Sequence, residues 1–153
     1  MTTLFKKLNL KDHKEIILIN APDSFEGEAN AIGQLVPIIT DYTKVEAITF
    51  CLSFNFTIND IEQTIKNIAD KLEGDAVIWF CYPKKSSKKY TSEIHRDQGW
   101  EIMGDYDLEG VRLVAIDEDW SALRWRKVEY IKKMTRDKKR TYTKAGKSKT
   151  KSV

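Results

Sequence analysis

DAVIWFCYPKKSS, residues Asp75–Ser87, holds an uncharged apolar and aromatic run from Ala76 to Tyr82, closed by Pro83 and followed by Lys84, Lys85, Ser86 and Ser87. A short run rich in Val, Ile and aromatics, bounded by Pro, is a strand buried on both faces. Such strands belong to parallel sheets covered by helices. This stretch is therefore predicted to be the central strand, with its polar exit at the carboxyl edge of the sheet.

Upstream, Thr57–Leu72 is predicted to be a helix, because Ile58, Ile61, Ile65, Ile68 and Leu72 recur at three and four residues. Thr57 with Asp60 fits a capping box, and Gly74 fits a C-terminal cap. Val45–Phe54 and Lys14–Asn20 read as two further strands, the latter stopped by Ala21-Pro22-Asp23. Between them, 24–35 has Phe25, Ala29, Ile32 and Leu35 at helical spacing, weakened by Gly27 and Gly33. Val36-Pro37-Ile38-Ile39 reads as a short edge strand, where Pro is tolerated. Leu4, Phe5, Leu8 and Leu10 form an amphipathic lead-in. Downstream come a polar loop over 86–91, a helix over 95–105 carrying Trp100, Ile102 and Met103, and a strand at Val111–Ile116. Asp117-Glu118-Asp119 then turns the chain into an antiparallel return strand, Trp120–Val128. Alternating strands and helices predict a three-layer, Rossmann-like α/β fold. Its sheet is mostly parallel, of five to six strands, with an antiparallel C-terminal hairpin strand.

The chain has 153 residues, enough for one domain, and its net charge of +3 hides a strong asymmetry. Residues 126–153 hold 12 Lys/Arg against 2 Asp/Glu, while the other 125 hold 14 against 21. An acidic body, 1–131, is thus followed by a basic tail, 132–153, too poor in apolar residues to fold alone and expected to be disordered. Cys51 and Cys81 sit inside apolar runs and read as buried free thiols. The absence of a signal-like or membrane-length apolar run makes a cytoplasmic protein the expectation, with no membrane partner.

At the carboxyl edge of a parallel sheet, where ligands bind, the sequence collects Asn20-Ala21-Pro22, Ser53-Asn55, Lys84 with Ser86 and Ser87, and Asp117 with Trp120. Ordinary solvated turns are the competing explanation for such residues. Asn20-Ala21-Pro22 lacks the glycines with which a dinucleotide loop or a methyltransferase loop approaches its ligand, and Lys84-Lys85-Ser86-Ser87 is no P-loop. His13 and His95 have no Cys or carboxylate at ligand spacing, so neither zinc nor a catalytic triad is expected. Asp117-Glu118-Asp119 suits a hard cation less well than a charged hairpin turn. No cofactor and no catalytic residue are predicted. The sharpest site on offer is for a small anion. It combines Asn20, Lys84, Ser86, Ser87, Lys88 and Arg96 at a helix start, with Trp120 as an apolar lid or wall and Asp117 orienting Lys84 or Arg96.

Three segments carry a resemblance: Ala21-Pro22 after the first strand, Trp79 with Tyr82-Pro83-Lys84 and then Arg96-Asp97, and Ala115-Ile116-Asp117 with Trp120-Ser121. Together they resemble the bacterial family catalogued as domain of unknown function 3052, over roughly residues 5–128. The resemblance implies a shortened methyltransferase-type sheet without its cofactor loop, in the order short strand, first, second, third, fifth, fourth. It implies no reaction. Three functions follow as expectations. The first is a non-catalytic binding or regulatory module with a small-ligand site at the carboxyl edge. The second is an adaptor holding nucleic acid or an acidic protein through Lys132, Lys133, Arg136, Lys138, Lys139 and Arg140. The third is an enzyme with a site of unrecognised type.

Overall fold

The computed structural model describes residues 1–131 and Tyr142. At its centre β4, Leu72–Pro83, runs parallel to β3, Ile48–Phe54, and antiparallel to β6, Trp120–Lys127. On the β3 side follow β1, Ile16–Ile19, and the two-residue edge strand β2, Ile38–Ile39, both parallel to their neighbours. On the other side β5, Leu108–Ala115, pairs antiparallel with β6 and closes the sheet in the order β2-β1-β3-β4-β6-β5. The sheet is therefore mixed and mostly parallel, with the expected strand order and an antiparallel C-terminal hairpin.

Alternation along β4 sends side chains to two separate cores. Val77, Trp79 and Cys81 pack against α1, Thr3–Lys7, and the region of α2, Glu26–Gly33. Ile78, Phe80 and Tyr82 pack against α3, Ile58–Ile68, and α4, Glu101–Gly104. Helices on both faces explain why β4 shows an unbroken apolar run instead of alternation. The short lead-in helix is tied to the sheet by Trp79, whose Nε1–H donates to the Leu8 carbonyl at 2.8 Å. In α3 the capping box of Thr57 and Asp60 is formed as expected.

Three expected elements change. The helix begun at Thr57 ends at Ile68, passes through a 3-10 turn at Ala69–Lys71, and gives Leu72 to β4. Leu72 fits the helical spacing, yet it pairs with Ile48 across an irregularity in the β3–β4 ladder. Gly74 therefore sits inside β4, at φ 58°, and is not a helix cap. The helix expected over 95–105 shrinks to the four residues of α4. Gly99, at φ 102°, breaks the backbone before it, and the Trp100 Nε1–H is spent on the His95 carbonyl at 2.7 Å.

Tyr142 lies in the stretch expected to hang free, yet it packs on the domain. Its backbone N–H donates to both carboxylate oxygens of the fully buried Glu109 at 2.8 Å, and its ring lies 5.5 Å from that of Trp125. A Cβ on Gly104 would collide with the Tyr142 carbonyl. Gly104→Ala is expected to dislodge this contact and lower stability by about 1–2 kcal/mol, with Tyr142→Ala losing a similar amount in urea melts. Unchanged melts for both variants would show that Tyr142 does not dock. Lys132, Lys133, Arg136, Lys138, Lys139 and Arg140 lie outside the described residues.

Candidate functional site at the carboxyl edge

The chain passes from β1 to β2 on one side and returns to β3 on the other, so the strand order reverses between β1 and β3. In open α/β sheets the crevice outside such a reversal is where ligands sit. Here β1 is followed by Asn20, exposed and at φ 56°, then Ala21, Pro22 and a 3-10 turn, Asp23–Phe25. That turn buries Phe25 and sets its ring, tilted by 56°, 5.1 Å from that of Phe54, the last residue of β3. The Phe25–Phe54 pair thus bridges the two strands that flank the reversal.

The ring layer continues. Trp120, paired with Pro83 at the start of β6, lies 5.0 Å from Phe54, 5.0 Å from Phe56 and 5.4 Å from Tyr90. Trp120 is 0% exposed, so it is a core residue beneath the edge and not the expected lid; Phe56, 38% exposed, is the outer ring. Phe54 and Phe56, one residue apart at a strand exit, were the available sequence signal for this layer.

Beneath the rings lies a polar knot. Asn55 is fully buried, and its Nδ2 donates to the Ser53 carbonyl and Oγ and to the Cys81 carbonyl at 3.2–3.4 Å. Its Oδ1 accepts from the Thr64 hydroxyl at 3.4 Å, and its backbone N–H donates to the Cys81 carbonyl at 2.9 Å. The side chain is committed to joining β3, β4 and α3 and has little left to offer a ligand.

The residues expected to hold an anion are divided by the structure. Lys84 and Ser87 meet the hairpin turn: the Lys84 N–H donates to the Asp119 carbonyl at 2.7 Å, and the Ser87 hydroxyl donates to the Asp119 carboxylate at 2.8 Å. The Ser87 Oγ also accepts from the N–H groups of Lys89 and Tyr90, so it organises its own loop. Ser86 and Lys88 are exposed. Asp117 accepts from the N–H groups of Asp119 and Trp120 at 2.8 and 2.9 Å, which makes it the cap of its own turn and not an orienter of Lys84 or Arg96. Arg96 pairs with Asp97 at 3.6 Å in an exposed turn, with no helix starting beside it. The helix terminus that was to complete the site is missing because Gly99 interrupts it.

Neither thiol adds chemistry. Burial pushes Cys51 up to about 12 and Cys81 well above the ordinary thiol range, which leaves no thiolate at neutral pH. Native protein is expected to resist a thiol reagent at pH 8 and to react at two positions only after denaturation. Rapid labelling in the folded state would contradict the buried strand positions. Among the described residues no helix is long and apolar enough to cross a membrane.

No family model matches the chain, and no curated protein matches it in sequence. Solved structures with a similar fold include a SAM-dependent methyltransferase from Aquifex aeolicus, at 10% identity over 81% of this chain and 87% of that one, with a TM-score of 0.54. The N-methyltransferase NodS from Bradyrhizobium japonicum WM9 is similar at 13% identity over 82% and 93%, TM-score 0.52. A putative type 11 methyltransferase from Sulfolobus solfataricus is similar at 8% identity over 82% and 89%, TM-score 0.50. At these identities the likeness is one of fold: the chain has the Rossmann-like sheet of SAM-dependent methyltransferases.

Proposed function

We propose that this chain is a Rossmann-like binding or regulatory module that carries out no methyl transfer. The observation behind this reading is the Phe25–Phe54 pair at 5.1 Å across the strand reversal, where a sheet of this type opens its ligand crevice. The loop after β1 adds a second argument. Asn20-Ala21-Pro22 supplies no glycine where a cofactor would need close backbone approach, and Pro22 also removes an N–H donor. SAM therefore does not fit this edge.

A thermal-shift screen of nucleotides, phosphorylated metabolites, SAM and S-adenosylhomocysteine tests the reading. The expected result is stabilisation by a small molecule outside the SAM pair. Stabilisation by SAM or its product, or turnover of SAM, would overturn it. The contrast between an acidic body and a tail with 12 Lys/Arg from residue 126 onward favours one further role, contact with nucleic acid or an acidic protein. Salt-dependent DNA binding that disappears on deleting residues 132–153 supports that role. Binding that survives the deletion removes the tail from it.

A further inference from the structure

Two arginines face each other on the sheet. Arg112 on β5 and Arg124 on β6 are direct cross-strand partners, and Arg124 is also the partner of Trp79 on β4. Direct antiparallel partners project to the same face with Cβ atoms about 5 Å apart, an arrangement that like charges destabilise. The pairing continues the register that the hairpin turn sets from Ala115 and Ser121 onward, and the ladder slips only beyond it, between Gly110 and Arg112. Arg126, two residues further along β6, is neutralised: its Nε and Nη2 donate to the two carboxylate oxygens of Asp75 at 2.8 and 2.6 Å. Arg112 and Arg124 have no such partner among the described residues. The Nε–H of the partly buried Arg124 is shielded from solvent and bonds to nothing. Guanidinium groups keep their charge under these conditions, so the sheet holds a repulsive pair with an unsatisfied donor.

The same side of the molecule has a groove of about 650 Å³ at the amino edge of the sheet, lined by Asp12, His13, Glu15, Thr49, Glu73 and Asp75 among others. Its size suits a small molecule. Asp75 joins the groove to the arginine row through Arg126. His13 joins it a second time: its ring packs edge-on against Phe50 at 5.2 Å, and Arg124 is near enough for its charge to act on the imidazole. The His13 Nδ1 accepts the Lys11 N–H at 3.2 Å, which puts the ring proton on Nε2, a donor. The carboxylates in the groove accept hydrogen bonds from hydroxyl or amino groups and repel a second anion.

We propose that Arg112 and Arg124 bind the phosphoryl group of a small phosphorylated ligand whose hydroxyl- or amino-bearing remainder lies in the adjoining groove. A phosphoryl oxygen satisfies the Arg124 Nε–H, and its charge turns the cross-strand repulsion into a shared clamp. The site lies at the opposite edge from the Phe25–Phe54 pair. SAM binding would therefore overturn the reading above and leave this one standing.

The test uses the full chain, with inorganic phosphate, ribose 5-phosphate and ribose as probes. The readouts are the arginine Nε–H NMR signals and the melting temperature. The Arg112 and Arg124 signals are expected to move with phosphate and with ribose 5-phosphate but not with ribose. Ribose 5-phosphate should bind at least about tenfold more tightly than phosphate, through the groove. Arg112→Gln removes an exposed residue. It should raise the melting temperature of the ligand-free protein by relieving repulsion, while weakening ribose 5-phosphate at least about tenfold. Lys88→Gln, at the other edge, should leave binding unchanged. Arginine signals that stay still at about 20 mM phosphate, or an Arg112→Gln variant with full affinity, overturn the site. Ribose 5-phosphate no tighter than phosphate overturns the part played by the groove.

Discussion

Trp79→Ala is expected to lower unfolding free energy by about 3–5 kcal/mol, a large share of the about 5–15 kcal/mol by which domains are typically stable. Trp79 is 0% exposed at the middle of the central strand, so truncation leaves a cavity that flanking strands cannot close. It also carries a side-chain hydrogen bond from the sheet to the lead-in, Nε1–H to the Leu8 carbonyl. Helix α1 has five residues, too few to persist without tertiary support. Its amides should therefore lose exchange protection in the variant while those of α3 keep theirs. Trp79→Phe separates the two effects, because it keeps most of the volume and removes the donor; about 1–2 kcal/mol is expected from it. A loss below about 1 kcal/mol for Trp79→Ala would mean that this strand is not the centre of the sheet.

Asn55→Ala should cost about 2–3 kcal/mol, more than a typical polar-to-alanine change. The cost comes from what is left behind. The Thr64 hydroxyl loses its acceptor, the Ser53 Oγ loses a donor, and both groups are buried. Asn55→Asp is expected to be as damaging, since a carboxylate brings a charge into the core and cannot donate to the Cys81 carbonyl. The check is a set of urea melts in which the slope stays constant while the midpoint falls. An Asn55→Ala midpoint equal to wild type would free this residue from its structural role and reopen it as a ligand contact.

How legible the fold was depended on whether a signal was local. The apolar run of β4 and the isoleucine stripe of α3 fix an element from neighbours alone, and both stand where expected. Leu72 shows the limit, because a residue at helical spacing was taken by a strand pairing with Ile48. The site was less legible. Whether Trp120 faces solvent or core depends on its register against Pro83, which no local pattern encodes. The Phe25–Phe54 contact joins residues 29 positions apart in sequence, and each is unremarkable alone. Arg112 and Arg124 become partners through the register set by the turn between Ala115 and Ser121, and a turn one residue longer would have offset them.

We propose that Phe25 and Phe54 close the strand-reversal crevice to SAM, and titration calorimetry of the full chain with SAM tests this most directly. No binding heat is expected, and a melting temperature within about 1 °C of the ligand-free value at about 1 mM SAM. A functional site with a dissociation constant near 10 μM would give about 2.7 kcal/mol of stabilisation at that concentration, an upward shift of several degrees. A saturable heat accompanied by such a shift, and abolished by S-adenosylhomocysteine, would show that the crevice is open to SAM.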